Sequence, residues 1–123
     1  MDSELHFVHA PIVAQPLRLP SHEVGACVEF SGIVRELEAG MPLTGIRYEA
    51  YEPMARRMFG RIFSDIEGKH PARSVTVIHR LGWVPVGEAS LFVRVLAKHR
   101  GPALGFCGEV IDRMKADVPI WKT

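Results

Sequence analysis

Residues 89–99, ASLFVRVLAKH, run directly into residues 100–117, RGPALGFCGEVIDRMKAD, and these two stretches decide the fold. The first is the most apolar run in the chain, which is typical of a buried strand. In the second, Gly101 and Pro102 suit the start of a helix, and Pro119 follows its end. A buried stripe at helical spacing is formed by Cys107, Val110, Ile111 and Met114. The sequence therefore predicts a strand that passes directly into a helix.

The preceding part of the chain predicts a second helix and further strands. The helix begins at Glu52-Pro53, has a stripe that includes Phe59 and Ile62, and stops at Gly68. Alternating apolar and polar residues predict strands at 25–36, 44–51 and 73–82, with a loop at 36–43 and a turn-rich link at 81–89. Two helices and about four to five main strands predict a two-layer α+β domain.

Length and composition limit the possible classes of protein. With 123 residues, 47% of them hydrophobic, the chain is predicted to form a single domain, 1–123. No apolar run is long enough to span a bilayer, so we expect a cytoplasmic protein without membrane contact. The net charge is only +1, which argues against nucleic-acid binding. Cys27 and Cys107 are expected to be buried thiols, although their sequence positions leave a disulfide open.

The candidate catalytic residues lie at the end of the chain. Lys115 falls on the border of the apolar stripe, four residues after Ile111. It either reaches a semi-enclosed pocket or bonds the last carbonyls of its helix. Lys122 follows Trp121 in a segment where a solvated, frayed lysine is the simpler interpretation. Two amines held together repel, which lowers proton affinity and favours a nucleophile or a proton carrier.

Other cations mark a candidate anion site. His99 and Arg100 lie at the strand-to-helix junction, where free backbone N–H groups attract a phosphate; the alternative is that both make ordinary surface contacts. Arg35 ends its strand and either joins the same anion site or is merely solvated. The close pair His6 and His9 lies in an N-terminus that is expected to be flexible, so we predict no metal site.

Five segments in order carry a family resemblance: FSGIVRE, YEAYEPMA, VTVIHRLG, VPVGEASLFVRVLAKHR and the helix through Met114-Lys115 to VPIWK. Together they resemble the large, catalytic subunit of molybdopterin synthase, over about residues 25 to 122. The resemblance implies an α/β hammerhead-type fold and a homodimer of large subunits. It also implies that each large subunit binds a small ubiquitin-like sulfur-carrier subunit with a Gly-Gly C-terminus.

The same resemblance implies an activity and roles for residues. The carrier's C-terminal thiocarboxylate gives two sulfurs in turn to cyclic pyranopterin monophosphate, which forms the dithiolene of molybdopterin, and no cofactor is implied. Lys115 and Lys122 match the family's catalytic lysines, whereas Arg35, His99 and Arg100 match residues of the substrate pocket. The alternative is a non-catalytic α+β module that binds a phosphorylated metabolite or a partner's C-terminal tail.

Overall fold

The computed structural model describes residues 1–38 and 40–123. Within them the chain forms nine strands and two helices. In order these are β1 (Asp2–Val8), β2 (Ala26–Ile33), β3 (Leu37–Glu38), β4 (Met41–Pro42), β5 (Gly45–Ala50), α1 (Glu52–Glu67), β6 (Ser74–Arg80), β7 (Gly82–Pro85), β8 (Ala89–Ala97), α2 (Arg100–Asp117) and β9 (Ile120–Lys122).

The main layer is a four-stranded sheet in the order β1-β6-β8-β2. β1 is parallel to β6, and the other neighbours are antiparallel. Alternate residues of β6 and β8, among them Val75, Val77 and Val93, share the core with both helices, whose Phe59 and Phe106 are fully buried. Because a strand places every second side chain on one face, this pairing of a sheet face with two helical stripes forms a two-layer core.

A second, smaller sheet has three strands in the order β7-β5-β9. Its own apolar cluster contains Val34, Ile46 and Val84. Gly45 has no room for a side chain here, because a Cβ would lie 2.7 Å from the Val84 carbonyl oxygen. The chain passes from α2 into β9 through Val118 and Pro119, so this sheet lies beside the C-terminal end of α2.

The α+β class and both helices are confirmed. α1 begins at Glu52 with proline in its first turn and is followed by Gly68, as the sequence predicts. Five of the described strands have six or more residues, β1, β2, β5, β6 and β8, in agreement with the predicted four to five main strands. β1 and the short strands β3, β4, β7 and β9 fall where a flexible N-terminus, loops or a frayed end were expected. The predicted loop at 36–43 contains the short β3–β4 pair, and its Ala39 lies outside the described residues.

The cysteines require a correction. Both are free thiols, so they form no disulfide, and Cys107 is buried as predicted. Cys27 is exposed instead, because it lies on the face of β2 that points away from the helices. Burial of part of the side chain and the nearby Glu29 carboxylate raise the pKa of the Cys27 thiol. No helix in the described part of the chain is long and apolar enough to cross a membrane.

Candidate functional site

A cleft of about 420 Å³ lies where the two sheets and the C-terminal end of α2 meet. Its walls come from the end of β2, from β5, from β9 and from the neighbouring parts of β6 and β8. Arg35, Lys115 and Lys122 all line it. We call it the lysine cleft.

Lys115 lies in the last turn of α2, beside the buried Met114. Both side chains line the lysine cleft, so the amine stands at the edge of an apolar wall. The backbone N–H of Val118 donates to the Met114 carbonyl at 3.1 Å and closes the helix. The first of the two sequence interpretations, a lysine that reaches a semi-enclosed pocket, therefore fits the geometry.

Lys122 is held on a strand and is not in a frayed terminus. β9 pairs with β5, so that Lys122 is opposite Tyr48 and Trp121 is opposite Glu49. The Tyr51 N–H donates to the Pro119 carbonyl at one end of this pairing, and the Thr123 N–H donates to the Arg47 carbonyl at the other. Since side chains alternate along a strand, Lys122 lines the cleft and Trp121 points outward, 46% exposed.

Arg35 is placed by an irregularity at the end of β2. The register against β8 shifts between Gly32 and Ile33, and such bulges redirect the side chains that follow them. Val34 is then fixed by backbone hydrogen bonds to Glu88 and Gly87. Arg35, the next residue, lines the lysine cleft.

The charge of the lysine cleft is one-sided. Among its described lining residues, Arg35, Lys115 and Lys122 carry positive charge and none is Asp or Glu. All three side chains are solvent-exposed, so their combined attraction for an anion comes from their placement around one cavity with no acidic side chain among the described lining residues. The lysine cleft can therefore hold one or two anionic groups against their mutual repulsion.

His99 and Arg100 do not join this cluster within one chain. Both are exposed at the start of α2, with His99 as the N-cap residue, and we call them the α2 start. Fifteen residues of helix separate Arg100 from Lys115, which is roughly 22 Å at 1.5 Å per residue. The structure thus brings three of the five predicted side chains together and leaves two at the opposite end of the helix.

Sequence reasoning missed His79 and Tyr48, which also line the lysine cleft. The ring of Tyr48 meets the ring of His79 edge to face, with centroids 5.2 Å apart. The available signal was the alternation in β6: His79 lies two residues after Val77 and four after Val75, so it shares their inward face.

A larger cleft, about 1230 Å³, lies between residues 11–20 and the sheet face opposite the helices. It contains none of the five predicted residues. Arg94 at its edge bonds the Glu29 carboxylate and the Gln15 carbonyl, so its charge is already used to hold the N-terminal segment. No three His, Cys, Asp or Glu side chains in ranges 1–38 and 40–123 are grouped so as to hold a metal ion.

Comparisons with known proteins identify the family of the chain. The model of the MoaE protein family matches residues 6–117. A molybdopterin synthase catalytic subunit of Oryza sativa subsp. indica is 47% identical over 98 residues, which cover 80% of this chain and 51% of the rice protein. The chain thus spans about half the length of the curated relatives that it matches.

Solved structures share the fold. Molybdopterin synthase from Staphylococcus aureus superimposes with a TM-score of 0.86 at 33% identity, covering 95% of this chain and 87% of that one. A complex of subunits 1 and 2 of the molybdopterin-converting factor from Helicobacter pylori gives a TM-score of 0.71 at 23% identity, covering 96% of this chain and 82% of that one. With a family model that spans most of its length, the chain belongs to the MoaE protein family.

Proposed function

We propose that this chain is the catalytic subunit of a molybdopterin synthase. It transfers sulfur from the C-terminal thiocarboxylate of a small ubiquitin-like carrier to cyclic pyranopterin monophosphate, and so forms the dithiolene of molybdopterin in the cytoplasm. The observation that carries the proposal is the lysine cleft, in which Lys115, Lys122 and Arg35 converge without any acidic side chain among the described lining residues. Family membership and the names of the relatives support the same reaction.

The electrostatics of the lysine cleft suit this chemistry. A thiocarboxylate and a phosphate are both anionic, so bringing the sulfur against the pterin costs repulsion that nearby cations offset. Lys115 moves protons or transiently engages the pterin or the acyl carbon of the carrier. Lys122, fixed by its register opposite Tyr48, stabilises the negative charge that develops during transfer.

The carrier is the proposed protein partner. The Helicobacter pylori structure with the same fold contains two subunits of a converting factor, which supports a small-subunit partner here. A glycine-ended tail needs less room than other tails, because glycine lets backbone approach a wall without a side chain. The exposed apolar residues Phe30 and Ile33 at the mouth of the lysine cleft offer a surface for such a tail.

A homodimer is the proposed way in which the α2 start contributes. His99 and Arg100 lie too far from Lys115 along α2 to meet the same small substrate within one chain. A second chain can bring its own α2 start to the first chain's lysine cleft, and two-fold symmetry then gives two equivalent composite sites. In this arrangement Arg100 and His99 bind the substrate phosphate.

The test is product formation by the purified chain with thiocarboxylated carrier and cyclic pyranopterin monophosphate, followed by mass spectrometry. We expect dithiolene product from the wild type and none from Lys115→Ala, with unchanged thermal unfolding and carrier binding. Arg61→Ala, which removes an exposed positive charge from α1 outside the lysine cleft, is the matched control and should retain activity. A folded wild type that gives no product with loaded carrier contradicts the function, and a fully active Lys115→Ala removes Lys115 from the mechanism.

A further inference from the structure

His79 lines the lysine cleft, although only 4% of its surface is exposed. It is the next-to-last residue of β6 and lies on the inward face that also carries Val77. A buried polar ring beside three cations is costly unless its hydrogen-bonding groups are used. The arrangement of those groups shows what the ring is suited to bind.

The tautomer of His79 follows from one contact. Its Nδ1 lies 2.8 Å from the backbone carbonyl oxygen of Arg80. A carbonyl oxygen can only accept, so Nδ1 carries the hydrogen and Nε2 carries a lone pair. Burial lowers the pKa of the His79 imidazole, and the bond to the Arg80 carbonyl raises it by less. The ring is therefore neutral near pH 7, and Nε2 is an acceptor.

The charged side chains that line the cleft with His79 can only donate hydrogen bonds, whereas His79 can accept one. Arg35, Lys115 and Lys122 line the same cleft, and ammonium and guanidinium groups donate hydrogen bonds but accept none. The guanidinium of the neighbouring Arg80 is paired with the Glu88 carboxylate at 2.7 Å.

The other acceptors are hydroxyl groups. The Ser90 hydroxyl donates to the Gly32 carbonyl at 3.4 Å, and Tyr48 meets His79 with its ring. Among the described side chains of the lysine cleft, the imidazole of His79 is thus the one nitrogen acceptor. A ligand that has N–H groups as well as an anionic group needs such an acceptor beside the cations.

We propose that Nε2 of His79 accepts a hydrogen bond from an N–H group of the heterocyclic substrate and so orients its ring against the two lysines. The inference rests on the proposed function for the identity of that substrate, a fused nitrogen heterocycle that carries a phosphate. His79 is a substrate-binding residue in this arrangement and transfers no proton. The rigid Nδ1–H···O=C bond to Arg80 fixes the direction of the lone pair.

Binding of cyclic pyranopterin monophosphate, measured by calorimetry on the complete chain without carrier, tests the inference. His79→Phe keeps a ring but removes the acceptor, and we expect the Kd to rise about ten- to hundredfold, because a substrate N–H is left unpaired in the cleft. His79→Gln supplies an amide oxygen and should stay within about threefold of the wild type. Thr76→Val, on the same strand as His79 but outside the lysine cleft, is the matched control and should leave the Kd unchanged.

The pH dependence gives a second readout. Protonation of His79 converts the acceptor into a donor, so wild-type binding should weaken on the acid side, below the ordinary imidazole pKa of about 6.5. His79→Gln has no ring to protonate, so its binding should not weaken in this acid range. The effects of all other titrating groups remain in both proteins. An identical acid limb in the Gln variant contradicts the inference.

Nitrogen-15 NMR of histidine-labelled wild type avoids any effect of substitution on folding. We expect one neutral Nδ1–H ring whose Nε2 signal shifts toward that of a hydrogen-bonded nitrogen when the pterin phosphate is added. An unshifted Nε2 signal at saturating ligand, or tight binding by folded His79→Phe, overturns the role of His79 alone. A wild type that does not bind the pterin phosphate overturns the proposed function and, with it, this inference.

Discussion

The two ends of α2 carry the same kind of charge in very different surroundings. At the C-terminal end, Lys115 stands beside buried Met114 in a cleft that also receives Arg35 and Lys122. At the other end, the α2 start is exposed, and His99 makes no side-chain hydrogen bond that caps the helix. One end thus has three cations around a cleft, whereas the other places Arg100 on an open, exposed surface.

The difference shows how one helix can serve two sites. A helix holds its ends at a fixed separation, here about 27 Å for 18 residues. If the α2 start and the lysine cleft act on one substrate, the unit of function is two chains. If they act separately, the unit is one chain, and the first of the following predictions decides between the two.

The largest expected effect comes from removing one cation at each end. Lys115→Ala should reduce sulfur transfer about 100-fold or more, since a charge aimed at the reacting centre is lost. Arg100→Ala should reduce it about 10- to 100-fold, mainly through weaker substrate binding. Initial rates across a range of pterin phosphate concentrations separate the two, because Lys115 should affect kcat and Arg100 should affect KM.

Mixing the two impaired variants, at substrate concentrations below KM, decides between one chain and two. In a mixed dimer of Lys115→Ala with Arg100→Ala, one composite site has both native residues. Random exchange of subunits should then restore about a quarter of wild-type activity. Activity no greater than the sum of the separate variants would mean that the two ends of α2 do not share a substrate.

The second prediction compares packing at the two ends. Met114 is buried beside the lysine cleft, and Met114→Ala should lower the free energy of unfolding by about 2–4 kcal/mol. Leu104, near the α2 start, is 58% exposed, so Leu104→Ala should change it by less than about 0.5 kcal/mol. Urea unfolding followed by circular dichroism measures both, and equal losses would show that the α2 start is covered in solution.

The third prediction uses two glycines of α2. A Cβ on Gly105 would lie 2.5 Å from the His70 ring, so Gly105→Ala should displace His70 from Glu109. We expect the free energy of unfolding to fall by about 1 kcal/mol. A Cβ on Gly108 meets nothing within 4 Å, and Gly108→Ala should stabilise the helix by about 0.5–1 kcal/mol. Opposite shifts in Tm are expected, and a gain in both variants would show that His70 moves aside at no cost.

The smallest effect concerns the cap at the α2 start. Serine caps helices better than histidine, so His99→Ser should raise the free energy of unfolding by about 0.5–1 kcal/mol. If His99 binds substrate, the same variant should nevertheless lose turnover, which would separate stability from function at this residue. Thermal unfolding and the transfer assay, run on one preparation, give both values; unchanged turnover would remove His99 from the site.

Local sequence signals predict the helices and miss the short strands for a physical reason. The bounds of α1 follow from Pro53, an apolar stripe and Gly68, all of which act within a few residues. β9 has three residues and owes its existence to β5, about 70 positions earlier in the chain. β1 likewise depends on parallel pairing with β6, and its charged start conceals the inward Leu5 and Phe7.

The sequence predicted which residues belong to the candidate site, but it did not predict which of them lie together in one cleft. Lys115 and the strand-end position of Arg35 follow from local spacing, and the resemblance adds Lys122. Which cations converge depends on where β9 returns after α2 and on the shift in β2, and both are tertiary features. His79 was not among the predicted site residues, because an inward position on a strand normally indicates a side chain that packs in the core.

The length of the turn at Val118 and Pro119 determines which side chains of β9 face the lysine cleft. Because neighbouring side chains of β9 point to opposite faces, sliding that strand by one position against β5 would present the indole of Trp121 to the cavity and turn the amine of Lys122 toward water. Insertions or deletions of two residues in the turn preserve the orientation, whereas those of one reverse it. Whether Lys122 faces the same cavity as Lys115 thus depends on whether the number of residues added or removed between them is odd or even, as well as on the distance.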